Sequence, residues 1–158
     1  MGIDTYIAMG SNLGDRSANI RAGLDAIAHL PTTTIINCST IIETDPVGPG
    51  EQSCYLNGVV HIQTRLEPGV LLDALLKIEA QLGRDRANEI RWGARTLDLD
   101  VLVYGDVIID EPGLEIPHPR LHTRSFVLVP MCELAPDLVI PMYKKTPQAL
   151  LGVLESLG

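Results

Sequence analysis

One segment of the chain, residues 96–104, has the alternating pattern of a strand with an acidic face and an apolar face. It reads Thr-Leu-Asp-Leu-Asp-Val-Leu-Val-Tyr. Successive side chains of a strand point to opposite sides, so Asp98 and Asp100 share one face, about 7 Å apart along the strand. The other face is expected to hold Leu97, Leu99, Val101 and Val103. Such a strand must bury its apolar face in a core while it keeps two carboxylates accessible.

An arginine-rich stretch comes directly before this strand. It holds the only tryptophan of the chain among four arginines, in the order Arg84, Arg86, Arg91, Trp92 and Arg95. Two neighbouring carboxylates repel each other, and a hard divalent cation with oxygen ligands favours the ionised pair. Guanidinium groups bind phosphate oxygens bidentately and stay charged at any relevant pH. The two features together indicate a site for a magnesium-bound polyphosphate.

The composition favours a small acidic protein. The 158 residues are expected to form one domain, 1–158, around a single core. A net charge of -8 argues against partners such as nucleic acid and anionic membranes, which require a basic surface. Three widely spaced cysteines are typical of reduced thiols, and no apolar run is long enough to span a membrane. We therefore expect a soluble cytoplasmic protein and, since no exposed aromatic stripe is evident, a monomer.

The order of predicted elements is β-α-β-β-α-β. Strands are predicted over residues 5–9, 34–43, 55–64 and 96–104, and two helices begin near Asp15 and Pro68. An edge strand over 107–109 and short helices over 123–134 and 146–157 are expected to follow. This order predicts an α+β fold, a ferredoxin-like βαββαβ sandwich with an antiparallel sheet flanked by helices and a C-terminal helical extension.

Several short motifs occur in the order and spacing of a known family. They are YIAMGSNLG at 6–14, YLN at 55–57, GRDR at 83–86, RWG at 91–93, RTLDLD at 95–100 and IPH at 116–118. With these motifs the chain resembles 6-hydroxymethyl-7,8-dihydropterin pyrophosphokinase of folate biosynthesis. The resemblance spans nearly the whole chain, and RTLDLD is its most specific part.

The resemblance implies transfer of the pyrophosphoryl group of ATP to the hydroxymethyl oxygen of the pterin, with release of AMP. It implies that Asp98 and Asp100 hold two Mg²⁺ ions, and that Arg84 and Arg95 stabilise charge on the migrating group. His118 and Arg124 are implied to contact the nucleotide phosphates. The remaining implied ATP contacts come from Arg86, Arg91, Trp92 and Leu99.

The same resemblance implies a pterin site. The flat ring is expected to stack between Tyr55 and Phe126, although either aromatic side chain is equally compatible with a place in the core. Asn57 is expected to read the edge of the ring, together with backbone groups of Thr44, Asp45 and Val47. The loop over residues 84–95 is expected to close over both substrates and exclude water.

The chain departs from the family pattern at a few positions. Ala94 and Asp45 stand where relatives often have proline, and Pro119 stands where some have an aromatic residue. Ala94 lies within the arginine-rich stretch, so its presence leaves open which arginine reaches which phosphate.

Two other functions remain open on the residues alone. Another transferase that uses an Asp-x-Asp pair, such as a nucleotidyltransferase or glycosyltransferase, would release pyrophosphate or a nucleoside diphosphate, never AMP. A non-catalytic ferredoxin-like module that binds a small metabolite would keep its ligand after Asp98→Ala.

Overall fold

The computed structural model describes residues 2–45, 54–83 and 96–157. The strands of the main sheet are β1 (Ile3–Ser11), β2 (Thr33–Cys38), β3 (Ile42–Thr44), β4 (Tyr55–Thr64) and β5 (Asp98–Tyr104). A separate hairpin consists of β6 (Ile109–Glu111) and β7 (Leu114–Ile116). The helices are α1 (Arg16–Ala28), α2 (Pro68–Gln81), α3 (Ser125–Leu134) and α4 (Pro147–Leu157), with a 3₁₀ turn at Leu121–Thr123.

The main sheet is antiparallel and has the order β2-β4-β1-β5. Strand β3 pairs with the same edge of β4 as β2 does, but nearer the start of β4. Both faces are covered. Helices α1 and α2 pack on one face around residues such as Ile7 and Leu75, and α3 and α4 pack on the other around residues such as Val59 and Leu128. The predicted ferredoxin-like α+β fold with helices on both sides of the sheet is confirmed.

Local features of the sequence explain where α1 and α2, the two helices on the first face, begin. Asp15 caps α1, because its side chain accepts a hydrogen bond from the Ala18 N–H at 3.1 Å. Pro68 opens α2. Gly23 lets α1 approach β5 closely, since a Cβ there would lie 2.9 Å from the Leu97 side chain.

Several predicted elements differ from the structure. The strand predicted over residues 34–43 is two strands, because the Ser39 hydroxyl accepts the Val59 N–H at 2.9 Å where a ladder carbonyl would otherwise do so. The edge strand predicted over 107–109 lies instead at Ile109–Glu111, where it pairs with β7. The helix predicted to begin at residue 123 begins at Ser125.

A β-bulge in β5 changes which side chains of this strand share a face, compared with the prediction. Tyr6 pairs with Val103 and Ile7 pairs with Val101, so Leu102 is an extra residue in β5. The alternation therefore shifts by one residue, and Val103 packs with α3 and α4 rather than on the face of Leu99. The placement of Val103 beside Leu99 was wrong because the bulge depends on pairing with β1, which the sequence of β5 alone does not contain.

None of the described helices is both long and apolar enough to cross a membrane.

Candidate active site

Asp98 and Asp100 lie at the start of β5 on the face that α3 covers farther along the strand. Asp100 is exposed and Asp98 is half-buried, whereas the intervening Leu99 is buried. In the neighbouring strand β1, Asp98 pairs with Gly10 and Asp100 pairs with Ala8. Neither residue has a side chain that extends beyond Cβ, so β1 places no long side chain beside the two carboxylates. The predicted acidic face of β5 is present, with the two side chains directed to one side.

The same row of residues continues into β4. Gly10 pairs with Asn57 on one side and with Asp98 on the other, so the three residues form a line across three strands. Because neighbouring strands are about 4.8 Å apart, Asn57 and Asp98 are about 10 Å apart on the same face. This separation leaves room between them for a small ligand group.

The amide of Asn57 is buried and held in place. Its side chain is only 8% exposed, and its Nδ2 donates to Thr44 Oγ1 at 2.5 Å. A Cβ on Gly10 would lie 3.0 Å from Asn57 Oδ1 and 3.5 Å from the Tyr55 ring. The half-buried Tyr55 and Thr44 pair with each other across β3 and β4 and thus share the face of Asn57. The structure therefore brings together Tyr55, Asn57 and Thr44 of the predicted pterin site, with Asp45 exposed just beyond Thr44.

Arg124, immediately before α3, interacts with the two aspartates and also contacts Phe126 in the first turn of that helix. The Arg124 guanidinium lies 5.6 Å from the centre of the Phe126 ring. Burial lowers the pKa of Arg124, and the negative charges of Asp100 and Asp98 partly oppose this effect. Arg124 is therefore a partly buried cation within electrostatic range of both carboxylates.

His118 completes this cluster. Its backbone N–H donates to the carbonyl of the bulge residue Leu102 at 2.9 Å, which ties it to β5. Burial lowers the pKa of His118, Asp100 opposes that effect, and the cations Arg124 and Arg120 add to it. The ring Nδ1 accepts the Arg120 N–H at 3.1 Å. Because Nδ1 accepts this hydrogen bond, the proton of the neutral ring lies on Nε2, which can donate to an anion.

A cavity of about 320 Å³ lies at the edge of β5, between this strand and the β6–β7 hairpin. Asp100 and His118 supply polar atoms, and the apolar part includes Leu72, Leu99, Val101 and Leu114. Its volume is in the range of pockets that bind small molecules. A second cavity of about 250 Å³, lined by Ile20, Leu24 and Leu56 among others, lies under α1 on the opposite face of the sheet and contains none of the predicted site residues.

Asp98 and Asp100 alone would supply only part of the coordination of a metal ion. Within residues 2–45, 54–83 and 96–157, no group of three or more His, Cys, Asp or Glu side chains could enclose a metal ion. Mg²⁺ is commonly held by one or two carboxylates, with phosphate oxygens and waters as its other ligands. Asp98 and Asp100 fit that arrangement.

Several predicted site residues lie outside the described residues. They are Arg84, Arg86, Arg91, Trp92 and Arg95 of the arginine-rich stretch, with the departure at Ala94, and Val47 of the predicted pterin site.

Sequence reasoning missed one buried polar residue beside the site. Glu79 of α2 is 3% exposed, and its Oε2 accepts the Leu99 N–H at 2.8 Å. The sequence carried a signal, because Glu79 lies four residues after Leu75 on the apolar side of the helix, where a carboxylate is unexpected.

A profile of the 7,8-dihydro-6-hydroxymethylpterin-pyrophosphokinase family matches residues 6–136. The chain belongs to this family. The sequence-based assignment to the pterin pyrophosphokinases is thereby confirmed, and with it the enzyme class, a transferase.

Two bacterial relatives of this chain are both named 2-amino-4-hydroxy-6-hydroxymethyldihydropteridine pyrophosphokinase. The protein of Pseudomonas aeruginosa is 45% identical over 145 residues, which cover 92% of this chain and 88% of the relative. That of Haemophilus influenzae is 47% identical over 139 residues, covering 88% and 86%.

Solved structures confirm the fold. A crystal structure of HPPK-DHPS in complex with substrates matches with a TM-score of 0.77 at 14% identity, over 99% of this chain and 44% of the solved one. The wild-type HPPK-DHPS of Plasmodium falciparum with pteroate gives a TM-score of 0.76 at 14% identity, over 99% and 43%. The chain thus spans less than half the length of these two solved proteins.

Proposed function

We propose that this pterin pyrophosphokinase transfers the pyrophosphoryl group of ATP to the hydroxymethyl oxygen of 6-hydroxymethyl-7,8-dihydropterin and releases AMP, as a step of folate biosynthesis. One observation carries the proposal. Asn57, which can read a heterocycle, and Asp98, which can hold a metal-bound phosphate, flank Gly10 on one face of the sheet. The two reactants would therefore meet above Gly10 and Ala8.

The pterin would bind at the Asn57 end of this line. Its ring would stack on Tyr55 and Phe126, and backbone groups of Thr44, Asp45 and Val47 would contact its edge. Asn57 uses one amide hydrogen on Thr44 Oγ1, which fixes the orientation of the amide. Its second amide hydrogen and its Oδ1 supply the donor and acceptor that the edge of a pterin requires.

Asp98 and Asp100 would hold two Mg²⁺ ions at the other end. When bound, the ions neutralise phosphate charge and polarise the attacking and leaving oxygens. Asp100 is exposed, so an ion that it holds would remain accessible to phosphate oxygens of the nucleotide.

Cationic and donor groups would orient the phosphates. His118 would donate from Nε2, and Arg124 would pair with phosphate oxygens while it stays over Phe126. Arg84 and Arg95 would stabilise the charge on the migrating group, with further ATP contacts from Arg86, Arg91 and Trp92. Membership of the family supports these roles. The cavity beside Leu99 and His118 would hold the rest of the nucleotide.

The transfer would form a bond between the hydroxymethyl oxygen and the β-phosphorus of ATP. The bond from that phosphorus to the oxygen it shares with the α-phosphorus would break, and AMP would leave with this oxygen. The hydroxyl proton passes to water. Holding the reactants on one rigid face is the main contribution of the protein, because in-line transfer requires alignment of the two oxygens.

We further propose that residues 1–158 form one catalytic domain that acts as a monomer in the cytoplasm. The four helices pack on the two faces of a single sheet and form one hydrophobic core on each face. Cys38, Cys54 and Cys132 are free thiols, as expected in a reducing compartment.

Product analysis tests this function. The protein is incubated with ATP, Mg²⁺ and 6-hydroxymethyl-7,8-dihydropterin, and the products are identified by ³¹P NMR. AMP and a pterin diphosphate are expected in equal amounts. ADP would mean transfer of a single phosphoryl group, free pyrophosphate would favour a nucleotidyltransferase, and intact ATP would favour a binding module.

A further inference from the structure

Glu79 occupies a position that is unfavourable for a carboxylate. It is 3% exposed, in the last turn of α2, on the side of the helix that packs into the core with Leu75 and Ile78. Burial of a charge costs free energy, and the C-terminal end of a helix carries partial negative charge. A leucine at this position would pack without either cost. The residue is therefore better explained by its contacts than by packing.

One contact of Glu79 is with the backbone between the two aspartates. Glu79 Oε2 accepts the Leu99 N–H at 2.8 Å. This N–H belongs to the peptide that links Asp98 to Leu99, so the hydrogen bond holds the backbone beside Asp98 and one residue before Asp100. Because this hydrogen bond is buried, competing water is excluded from it, and it ties the peptide to α2.

The hydrogen bond from Leu99 to Glu79 lies at the start of β5, where the strand is least constrained by its neighbours. This strand is at the end of the β2-β4-β1-β5 order, and Asp98 is its first residue. Strand ends at the edge of a sheet open locally more easily than central segments. Leu99 is fixed through its side chain, which is buried in the α1–α2 core, and through its N–H on Glu79.

We infer that Glu79 is a positioning residue for the metal site, which fixes the spacing and direction of the Asp98 and Asp100 carboxylates through the Leu99 N–H. The inference rests on the proposed function, in which those carboxylates hold Mg²⁺. Groups that orient metal ligands commonly change metal affinity by about 10- to 100-fold when they are mutated. Glu79 lies on the α1–α2 side of the sheet, whereas the side chains of Asp98 and Asp100 lie on the other side.

Two variants separate the hydrogen bond from the charge. Glu79→Gln keeps an acceptor at the same reach and removes the charge, whereas Glu79→Asp keeps the charge and withdraws the acceptor by one methylene. Mn²⁺ affinity is measured by calorimetry in the presence of α,β-methylene-ATP, which is not cleaved. We expect about a tenfold or greater loss for Glu79→Asp and a change of less than about threefold for Glu79→Gln.

Glu133 provides a matched control. It lies on α3, and both of its carboxylate oxygens accept the Thr40 N–H at 3.0 Å, on the other side of the sheet from α2. Glu133→Asp therefore makes the same chemical change at an exposed carboxylate that accepts a backbone N–H away from β5. Its Mn²⁺ affinity should equal that of the wild type.

Two further readouts distinguish positioning from general destabilisation. Pterin affinity should be unchanged in Glu79→Asp, and amide exchange measured by NMR should be faster at Leu99 but not at Val101 or Val103. Wild-type Mn²⁺ affinity in Glu79→Asp, or an equal loss in both Glu79 variants, would overturn the inference. If Glu79→Asp does not fold, rapid exchange of the Leu99 amide in the wild type would overturn it.

Asp98→Ala in the same titration tests the underlying proposal separately. If this variant retains wild-type Mn²⁺ affinity, the proposed metal site is wrong. If it loses affinity while Glu79→Asp does not, only the role of Glu79 is wrong.

Discussion

Asn57 and Asp98 pair with the same residue of β1, Gly10, from its two sides. This relationship defines the distance between the side chain that would read the acceptor and the carboxylate that would hold the donor. It is fixed by strand register rather than by loop conformation. A site built on a sheet in this way is held more precisely than one built on loops.

Gly10→Ala should weaken pterin binding by about tenfold, equivalent to about 1.4 kcal/mol. The new Cβ would lie 3.0 Å from Asn57 Oδ1 and would press on an amide that is already held by Thr44. The dissociation constant for the pterin, measured by calorimetry, checks this. Gly152→Ala is the control, because its Cβ would meet no atom within 4 Å. Equal pterin affinity in Gly10→Ala and the wild type would contradict the placement of the pterin beside Asn57.

Lowering the pH from 7 to 5 should destabilise the protein in part through His118. Its pKa is lower in the folded protein than in the unfolded chain, so the unfolded chain binds more protons between the two values. The contribution is fully present above about pH 6.5 and is lost as the pH falls through the lowered pKa. Protonation of Nδ1 would also remove the acceptor for the Arg120 N–H.

The measurement is the free energy of unfolding in urea at both pH values, for the wild type and for His118→Asn, which can accept the Arg120 N–H through its side-chain oxygen. The variant should lose less stability on acidification. An identical loss in both proteins would mean that His118 does not titrate differently in the folded state.

Ser39→Ala should destabilise the fold by about 1–3 kcal/mol, because it leaves the buried Val59 N–H without its acceptor. Ser156→Ala removes an exposed hydroxyl that donates to the Val153 carbonyl, and should cost less than about 0.5 kcal/mol. Urea unfolding of the two variants gives the comparison. A Ser39→Ala cost as small as that of Ser156→Ala would show that the hydroxyl does not substitute for a ladder carbonyl.

The sequence was sufficient where a signal is local. The strand predicted over residues 55–64 matches β4 at both ends, since β-branched residues and a Pro/Gly-rich stretch define its limits. The shared face of Asp98 and Asp100 follows from the period of a strand alone. The cap at Asp15 and the start at Pro68 were predictable for the same reason.

Features that depend on pairing between distant segments were not predictable. The bulge at Leu102 arises from the register of β5 on β1, and its carbonyl then receives the N–H of His118. The resemblance to the family placed His118 near the phosphates, but only the fold explains how it reaches Asp100. Likewise, the sequence shows that Glu79 lies on the apolar side of α2, but it does not show that the carboxylate accepts the Leu99 N–H. That contact depends on how β5 packs against the helix.

The proposed role of the two aspartates is tested by the rate of AMP formation in Asp98→Ala and Asp100→Ala, measured together with the pterin dissociation constant on the same samples. Asp106→Ala, an exposed residue just after β5, is the control. Both site variants should lose AMP formation by about 100-fold or more, while the pterin affinity and the control remain unchanged. AMP formation at the wild-type rate in either site variant, or a loss explained entirely by weaker pterin binding, would contradict that role.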